Sequence, residues 1–424
     1  MTASSPNPDP APASLLRTRL RTAACVLLAS GMPAAAHAEG AASNTVEASV
    51  LVYAEQGRAR VVEPAARISR LFANGHSLSL SLGFDTITGA SPTGAVPTGS
   101  IQTTTSPSGQ VTRLPAGMLP VSSFSDHRIS ADIGWQAPLG RLFTTSLGGH
   151  FSREKDYQSL GLNGTVSVEL MNRLTTVTLG GGYNSDRVFP DGGTHAGLGD
   201  GAVISTQSNR KHLATRMLGI SRILTRRWMM GLNITRSKDD GYLTEPYKVV
   251  SVVDGTTGET VGQLTEERPD TRDRSVLMAS SVYHLATDVV YLSYRYYWDN
   301  WGVKSHTFDG RYRYELGDST YLEPHARFYT QTRADFFTYG LVRGAPLPAY
   351  ASGDIRLGPL RSVTVGATCG FRLPVTPGEW TVRAEYIRQF GDGHPASAIG
   401  AQRELDLFPA VNMGTLVVGY SFTF

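Results

Sequence analysis

The sequence predicts an all-β protein, a transmembrane antiparallel up-and-down β-barrel of about sixteen strands, with about 14 or 18 strands as alternatives. Three observations favour this fold class. Apolar and polar residues alternate at a period of two in long runs, as in "HSLSLSLGFD" at 76–85. The runs follow one another in pairs whose connections alternate between short turns and longer loops. The chain ends on an alternating, aromatic-rich segment, "MGTLVVGYSFTF".

The first element is an expected secretory signal peptide at 1–38. Arg17, Arg19 and Arg21 precede the weakly apolar run "TAACVLLASGMPAAA", and a small-x-small cleavage site ends at Ala38. A spanning helix requires about 20 apolar residues, whereas this run is shorter and is broken by Ser and Pro. We therefore expect the mature chain, residues 39–424, to be exported as one β-barrel domain.

The charge and cysteine content narrow the classes of function. Loss of residues 1–38 removes three Arg and one Asp, so the formal net charge falls from 39 − 36 = +3 to 36 − 35 = +1. A near-neutral chain gives no basis for a nucleic-acid partner. Only Cys369 remains after cleavage, so no intrachain disulfide can form.

The next elements are the strands themselves, which the alternation places at sixteen positions. They are predicted near 44–54, 60–72, 76–87, 125–136, 141–152, 160–171, 173–184, 209–222, 227–237, 273–285, 288–299, 304–316, 319–331, 362–373, 379–390 and 413–424. The long connections fall at 88–124, 185–208, 238–272, 332–361 and 391–412. Short turns at one end and long loops at the other are typical of bacterial outer-membrane barrels. An even strand count then leaves both termini on the periplasmic side.

Soluble β-folds fit the pattern less well. Strands of a β-sandwich are usually about 5–6 residues long, and a propeller repeats every 40–50 residues or so. The runs here are longer than sandwich strands, and no such repeat is present. A membrane strand of about 9–11 residues matches them.

The last strand carries a more specific signal. Leu416, Val418, Tyr420, Phe422 and Phe424 alternate with polar or small residues. The arrangement resembles the terminal signature that the outer-membrane assembly machinery reads, with Tyr420, Phe422 and Phe424 as its aromatic positions. The expected location is therefore the bacterial outer membrane, with its lipid and the assembly machinery as partners.

Three stretches resemble a known family. They are "FDTITGASPTGA" (84–95), "YLEPHARFYTQTRADFF" (321–337) and "RSVTVGATCGFRL" (361–373), and they are similar to blocks of the bacterial domain-of-unknown-function family 3570. The resemblance covers roughly residues 42–424. It implies an outer-membrane β-barrel, and it supplies no established activity and no catalytic residues.

Many charged residues of the C-terminal strands fall on one face. Arg or Lys on the lipid face at mid-bilayer costs about 2–4 kcal/mol, so this face is expected to line the lumen. Pro324 lies on the opposite face. Because proline cannot donate a hydrogen bond to a sheet, we expect Pro324 to lie near the periplasmic rim or at a bulge. The predicted lumen-facing polar cluster consists of Arg295, Asp309, Arg311, Arg313, Glu315, Glu323, His325, Arg327, Gln331, Arg333, Asp335, Arg383 and Glu385.

Two interpretations of this cluster stay open. Opposite charges on neighbouring strands stabilise each other, so the cluster could be a salt-bridge ladder that braces the barrel. It could also be a lining that selects passing small solutes, as charged rings do in pores. The leading hypothesis is a porin-like channel, and the alternative is a filled structural barrel that acts through its loops. A third hypothesis, an outer-membrane hydrolase using Ser208, Asn209 and His212, lacks the spacing of a known catalytic pattern, and no enzymatic role is expected.

The loops offer no metal or cofactor motif. Asp191 and Asp200 lie in the Gly-rich "PDGGTHAGLGDG" without the spacing of a calcium loop. The ten His residues form no HxxxH or HExxH pair. In the long Gly-, Ser-, Thr- and Pro-rich loop, we expect residues 84–95 to pack at the barrel mouth and most of 96–123 to be mobile. No metal or cofactor is therefore predicted.

Overall fold

The computed structural model describes residues 42–105, 111–195, 197–199, 203–205 and 209–424. The signal peptide predicted at 1–38 lies outside these residues. Among the described residues, no helix has the length and apolar character needed to cross a membrane.

The described chain is built almost entirely from strands. In the N-terminal half these are β1 (Ser43–Glu55), β2 (Arg60–Leu71), β3 (Ser77–Pro92), β4 (Gln102–Thr105), β5 (Val111–Leu114), β6 (Val121–Leu139), β7 (Phe143–Arg153), β8 (Tyr157–Leu170), β9 (Thr175–Val188), β10 (Thr194–His195), β11 (Val203–Ser205) and β12 (Asn209–Thr225). The C-terminal half adds β13 (Trp228–Gly241), β14 (Val249–Val253), β15 (Thr260–Thr265), β16 (Thr271–His284), β17 (Val289–Asp299), β18 (Lys304–Glu315), β19 (Thr320–Gln331), β20 (Leu341–Val342), β21 (Leu360–Arg372), β22 (Glu379–Gly391) and β23 (Val411–Thr423). Two short 3-10 helices lie at Ile355–Leu357 and Gly400–Glu404.

Sixteen of these strands close into one barrel in the order β1-β2-β3-β6-β7-β8-β9-β12-β13-β16-β17-β18-β19-β21-β22-β23. The first strand, β1, pairs antiparallel with both β2 and the last strand β23, so that Val50 lies beside Pro64 and Val418. Closure leaves no unpaired sheet edge, which is the condition for strands to stand in lipid. The predicted fold class and strand number are confirmed, and each predicted strand overlaps one strand of the barrel.

The outer surface of the barrel is apolar because apolar and polar residues alternate along the strands and the apolar ones point outward. On β3, the outward residues Leu78, Leu80 and Leu82 are 44%, 43% and 54% exposed. On β8, Leu160 and Leu162 are 59% and 70% exposed. Contiguous exposed leucines of this kind would promote aggregation in water, whereas on a transmembrane barrel they contact lipid tails. The polar alternate residues consequently face the barrel interior.

The two ends of the barrel differ as predicted. Seven short turns and both described termini lie at one end, whereas five long connections lie at the other, together with three short ones after β1, β7 and β17. We call the first end periplasmic and the second end the mouth.

The long loop between β3 and β6 contains packed residues beyond those expected at the mouth. Thr93 to Ala95 lie at the mouth as expected, and beyond them Val96 and Leu114 are buried, at 4% and 7% exposed. β4 and β5 pair as a hairpin within this loop. A composition rich in Gly, Pro, Ser and Thr conceals these few apolar anchors, which is why the sequence pattern predicted no packed structure here.

Four of the five long loops pack together at the mouth in what we call the loop cap, made of the described residues of 93–120, 242–270, 332–359 and 392–410. One apolar cluster joins three of these loops through Val96, Val253, Ala398 and Leu407, and Tyr339 of the fourth loop packs against it. β14 pairs with β15 in its own loop and, in parallel, with β20 of another. Separate connections have therefore become one folded layer.

Candidate functional site

The inner wall formed by β17, β18, β19 and β22 carries most of the predicted polar cluster. On β19, the outward residues Leu322 and Phe328 are 39% and 40% exposed, so the alternate residues point inward. The same parity holds on β18, where Phe308 and Tyr314 are the exposed outward residues. The cluster members on the inward positions are Arg295, Asp309, Arg311, Arg313, Glu315, Glu323, His325, Arg327, Gln331, Arg383 and Glu385.

Arg333 and Asp335 do not lie on this wall. β19 ends at Gln331, whose side-chain Nε2 donates to the carbonyl oxygens of Arg356 and Gly358 at 2.9 and 2.8 Å. Beyond it the chain leaves the barrel, because Ala334 is drawn into an apolar cluster in the loop cap and is fully buried. The prediction for Arg333 and Asp335 is wrong because the apolar–polar alternation continues past Gln331, where β19 ends.

Four charged side chains form a continuous hydrogen-bonded row across this wall. The Asp309 Oδ2 atom lies 2.8 Å from Arg327 Nε and 2.9 Å from His325 Nε2. The other ring nitrogen of His325, Nδ1, lies 2.8 Å from Glu385 Oε1. Both carboxylates can only accept, so both ring nitrogens donate, and this arrangement is that of an imidazolium cation.

The His325–Glu385 contact spans a strand, and a glycine makes this possible. In register, His325 pairs with Gly366 of β21, and Gly366 pairs with Glu385 of β22. A Cβ atom at position 366 would lie 2.6 Å from the Cγ atom of Glu385. The missing side chain leaves the space through which Glu385 reaches His325.

A second row of charges lies nearer the periplasmic end. Arg311 Nη1 is 3.5 Å from Glu323 Oε1, and Arg313 Nε is 2.7 Å from Glu315 Oε1. The guanidinium of Arg313 also lies 3.5 Å from the ring centroid of Tyr321, a distance typical of a cation–π contact. Internal pairing therefore accounts for much of the charge on this wall.

Pro324 interrupts the ladder without shifting it. The pairs between β18 and β19 run to Arg311↔His325 and resume at Tyr314↔Leu322 with the same register. On its other side, Pro324 pairs with Ala367 of β21. A proline removes one donor from a sheet, and here the loss falls close to the start of β19 at the periplasmic rim.

The wall is paired but is not sealed by packing. The Arg327 side chain remains 49% exposed although strands enclose it on both sides. Arg295, on the neighbouring inward position of β17, is also exposed. A charged side chain open to the interior at mid-strand indicates a hydrated space beside this wall.

The loop cap contains a second charged group, which is buried. Arg268 Nε lies 2.6 Å from Glu266 Oε1, and its Nη2 lies 3.0 Å from Asp354 Oδ2. Arg356 Nη2 lies 2.6 Å from the same Asp354 oxygen. The side chains of Arg268, Glu266 and Asp354 are at most 3% exposed. This ionic group ties loop 242–270 to loop 332–359.

Lys248 extends the group to the end of β3, where loop 93–120 begins. Its Nζ atom donates to Ser91 Oγ at 3.0 Å and to the carbonyl oxygen of Pro92. Burial lowers the pKa of Lys248 to about 8. The backbone of the same segment joins the same loop, since Val249 N donates to Thr93 O at 2.8 Å.

Loop 242–270 reaches across the barrel. It connects β13 and β16, the ninth and tenth strands of the barrel, which stand opposite the first and second. Yet Tyr247 packs against an inward-facing cluster that includes Tyr53 of β1, Val61 of β2 and Ile87 of β3. A loop that contacts the far wall must pass over the mouth, so the loop cap spans the opening.

An acidic group marks the rim where Tyr247 arrives. Asp126, Glu154 and Asp156 have carboxylate oxygens within 4.8 Å of one another and are all buried. Tyr247 Oη donates to Asp156 Oδ2 at 3.3 Å. Burial, together with the charges of Asp126, Glu154 and Glu245, raises the pKa of Asp156 to about 7. Oxygen ligands so arranged could hold a hard cation.

Sequence reasoning missed this acidic group. Its members come from the first residues of β6 and from the turn after β7, and a spacing of two between Glu154 and Asp156 is common on any surface. Asp191, which the sequence did single out, instead contacts Lys155 Nζ at 2.6 Å, and Asp200 lies outside the described residues.

Of the three hydrolase candidates, the two that the structure describes, Asn209 and His212, do not come together. Ser208 lies outside the described residues. Asn209 and His212 stand on positions of opposite parity in β12 and so face opposite sides of the sheet. Their side chains are engaged separately, Asn209 with Thr194 and His212 with Tyr183.

The predicted assembly residues lie together on the outside of the last strand. The rings of Phe422 and Phe424 are stacked with centroids 5.4 Å apart, and Tyr420 contacts Trp380 of β22. Phe424 is 61% exposed. These aromatic side chains stand at the periplasmic edge of the apolar surface.

The outer wall also has a groove of about 630 Å³ over small residues. Leu292, Gly310, Ala326 and Val365 follow one another across four strands there, on the outward face. Because exposed apolar side chains form its rim, the groove belongs to the lipid-facing surface and not to the lumen.

Solved structures with a related architecture align only distantly. A ferric enterobactin receptor mutant from Pseudomonas aeruginosa, in complex with enterobactin, is 11% identical with a TM-score of 0.43, and the alignment covers 89% of this chain and 60% of that one. OccK3 (OpdO) of Pseudomonas aeruginosa is 9% identical with a TM-score of 0.38, covering 90% and 96%. A deletion mutant of TodX, a monoaromatic hydrocarbon channel, is 10% identical with a TM-score of 0.40, covering 91% of both chains. The present chain spans about three fifths of the length of the enterobactin receptor.

No protein with a curated description matches the sequence. A family model described as "Protein of unknown function (DUF3570)" matches residues 17–422, nearly the whole chain. The match includes the three blocks at 84–95, 321–337 and 361–373 that resembled this family in the sequence, and the chain belongs to the DUF3570 family.

Proposed function

We propose that this protein is an outer-membrane channel for small hydrophilic solutes, with a charged lumen and a mouth covered by the loop cap. The apolar outer surface and the closed sheet support a location in a membrane that is crossed by strands. The expected signal peptide and the aromatic last strand favour the outer membrane. Barrels of about 16–18 strands are wide enough to leave an aqueous channel.

The single observation that carries the channel proposal is the exposed fraction of Arg327. Its guanidinium is bound to Asp309 on one side, yet the side chain is 49% exposed inside a closed barrel. A lumen filled by packed side chains would bury it. The proposed permeation path therefore runs beside Asp309, His325 and Arg327 and is limited at the mouth by the loop cap.

A liposome-swelling assay tests this proposal. Protein refolded into vesicles should admit small sugars and amino acids faster than protein-free vesicles, with rates that fall as solute size rises. Rates equal to those of protein-free vesicles, from protein shown to be folded by its heat-modifiable gel mobility, would contradict a channel.

A second function is favoured by the loop cap itself. Four folded loops present a continuous surface at the mouth, so the barrel could serve as a rigid support for binding at the cell surface. The two functions separate in one experiment: a surface-binding barrel stays impermeable when its cap is loosened, whereas a capped channel becomes more permeable than the wild type.

A further inference from the structure

The outer face of β7, β9, β12 and β13 carries a patch of basic side chains just above the apolar surface. All six are exposed and occupy outward positions in the halves of the strands that lie toward the mouth. Its members, which we call the basic patch, are Arg153, Arg187, Arg210, Arg216, Arg236 and Lys238.

The upper part of the basic patch is a row across neighbouring strands. Arg153 pairs in register with Gln158 of β8, Gln158 pairs with Arg187, and Arg187 pairs with Arg210. Three arginines thus occupy one register row, with Gln158 between the first and the second. Within the part of the chain that the structure describes, none of the six basic side chains forms an ion pair.

The lower part places two like charges directly opposite each other. Arg216 of β12 pairs with Arg236 of β13. Like charges at facing positions destabilise a sheet unless something screens them. Gly181 and Ser275 flank the pair at the same level, so small residues leave room beside both guanidinium groups. A shared anion would turn this repulsion into attraction.

The residues next to Arg216 and Arg236 on the same strands indicate the kind of anion. The next outward positions toward the periplasm are Leu179, Leu218, Ile234 and Leu277, which form an apolar row across the same four strands. Leu179 and Leu218 are 61% and 48% exposed. The arginines therefore stand where lipid tails end and headgroups begin. Asp240 and Asp273 are the acidic residues on this face, so six basic groups against two leave a net charge of +4.

We propose that the basic patch binds the phosphate groups of an anionic lipid headgroup in the outer leaflet, with Arg216 and Arg236 sharing one phosphate. Guanidinium groups suit phosphate because they donate two parallel hydrogen bonds. The upper arginines meet a second phosphate or acidic group of the same headgroup. This inference rests on the proposed membrane location but not on conduction through the lumen.

Native mass spectrometry of the refolded full chain in neutral detergent micelles tests the proposal. The probes are diphosphorylated lipid A, its monophosphorylated form and phosphatidylcholine. Retention is expected to fall in that order. An R216Q/R236Q variant should bind diphosphorylated lipid A at least tenfold more weakly.

The matched control is R361Q/R388Q, which removes two exposed outward arginines on β21 and β22, outside the patch. It should bind as the wild type does. Equal binding by R216Q/R236Q, or equal retention of phosphatidylcholine, would overturn the proposal. Complete displacement of lipid A by equimolar inorganic phosphate would also overturn it, because a site for a free ion makes no use of the apolar row. Vesicle swelling by the same variants keeps this outcome separate from failure of the channel proposal.

Discussion

Replacing Arg268 by alanine should loosen the loop cap while leaving the barrel intact. Arg268 contacts two buried carboxylates, those of Glu266 and Asp354. Asp354 would keep Arg356 at 2.6 Å, whereas Glu266 would keep two neutral donors, the hydroxyl of Ser352 and the backbone N–H of Glu245. One buried carboxylate is then left without its cation. Breaking a buried pair costs about 3–5 kcal/mol, and the remaining Arg356 contact places this change near the lower end, at about 3 kcal/mol.

Hydrogen exchange of the reconstituted protein measures this cost. A change of about 3 kcal/mol corresponds to roughly a hundredfold larger opening equilibrium. Amides that join the loops should exchange faster by that factor, including those of Val96, Val249 and Ala351. Barrel amides should be unaffected. The control is Arg343→Ala, an exposed cap residue, which should leave exchange unchanged. Unchanged exchange in Arg268→Ala would refute the structural role assigned to this ionic group.

Three further predictions concern the wall and the rim. A Cβ atom at position 366 would lie 2.4 Å from the carbonyl oxygen of Ala384 and 2.6 Å from the Cγ atom of Glu385. Gly366→Ala should therefore displace the backbone of β22 together with the carboxylate partner of His325, and lower the free energy of unfolding by about 1–3 kcal/mol in urea titrations. Gly414→Ala, where nothing lies within 4 Å of a Cβ, is the control, and equal stabilities of the two variants would contradict this close approach. Because the pKa of Asp156 is raised from 3.8 to about 7, its contribution to the stability of the rim contact is complete below about pH 4 and is lost as pH rises through 7. Cap amide exchange should therefore accelerate from pH 5 to 8 after correction for intrinsic rates, and Asp156→Asn should flatten that dependence; a profile unchanged by the substitution would count against it. Arg327→Glu should shift the reversal potential in a salt gradient toward cation preference, and an unshifted potential would place the permeation path elsewhere.

The strands were predictable because their signal is local. A period of two in "HSLSLSLGFD" fixes both a strand and the face that meets lipid, whatever the rest of the chain does. The same rule placed Glu323, His325 and Arg327 on one face. It failed at Arg333 and Asp335 because alternation does not report where a strand ends, and the loop cap draws Ala334 out of the barrel.

The loop cap could not be predicted because its contacts join distant parts of the chain. Lys248 meets Ser91, and Glu266 meets Ser352, across separations that no periodic pattern records. The basic patch could not be predicted from the sequence for another reason. The cost of charge on the lipid face applies at mid-bilayer, whereas Arg216 and Arg236 stand at the upper edge of the apolar surface, and only the register shows that they face each other.

Single-channel recording in planar bilayers tests the central claim, a hydrated charged lumen beneath a mouth that the loop cap covers. The comparison is between the wild type and a variant in which residues 245–268, the segment that crosses the mouth, are replaced by a short Gly-Ser turn. The wild type should open rarely, and the variant should show long stepwise openings of larger conductance. If the variant inserts as a folded barrel and passes no current, the lumen is filled and the account is contradicted.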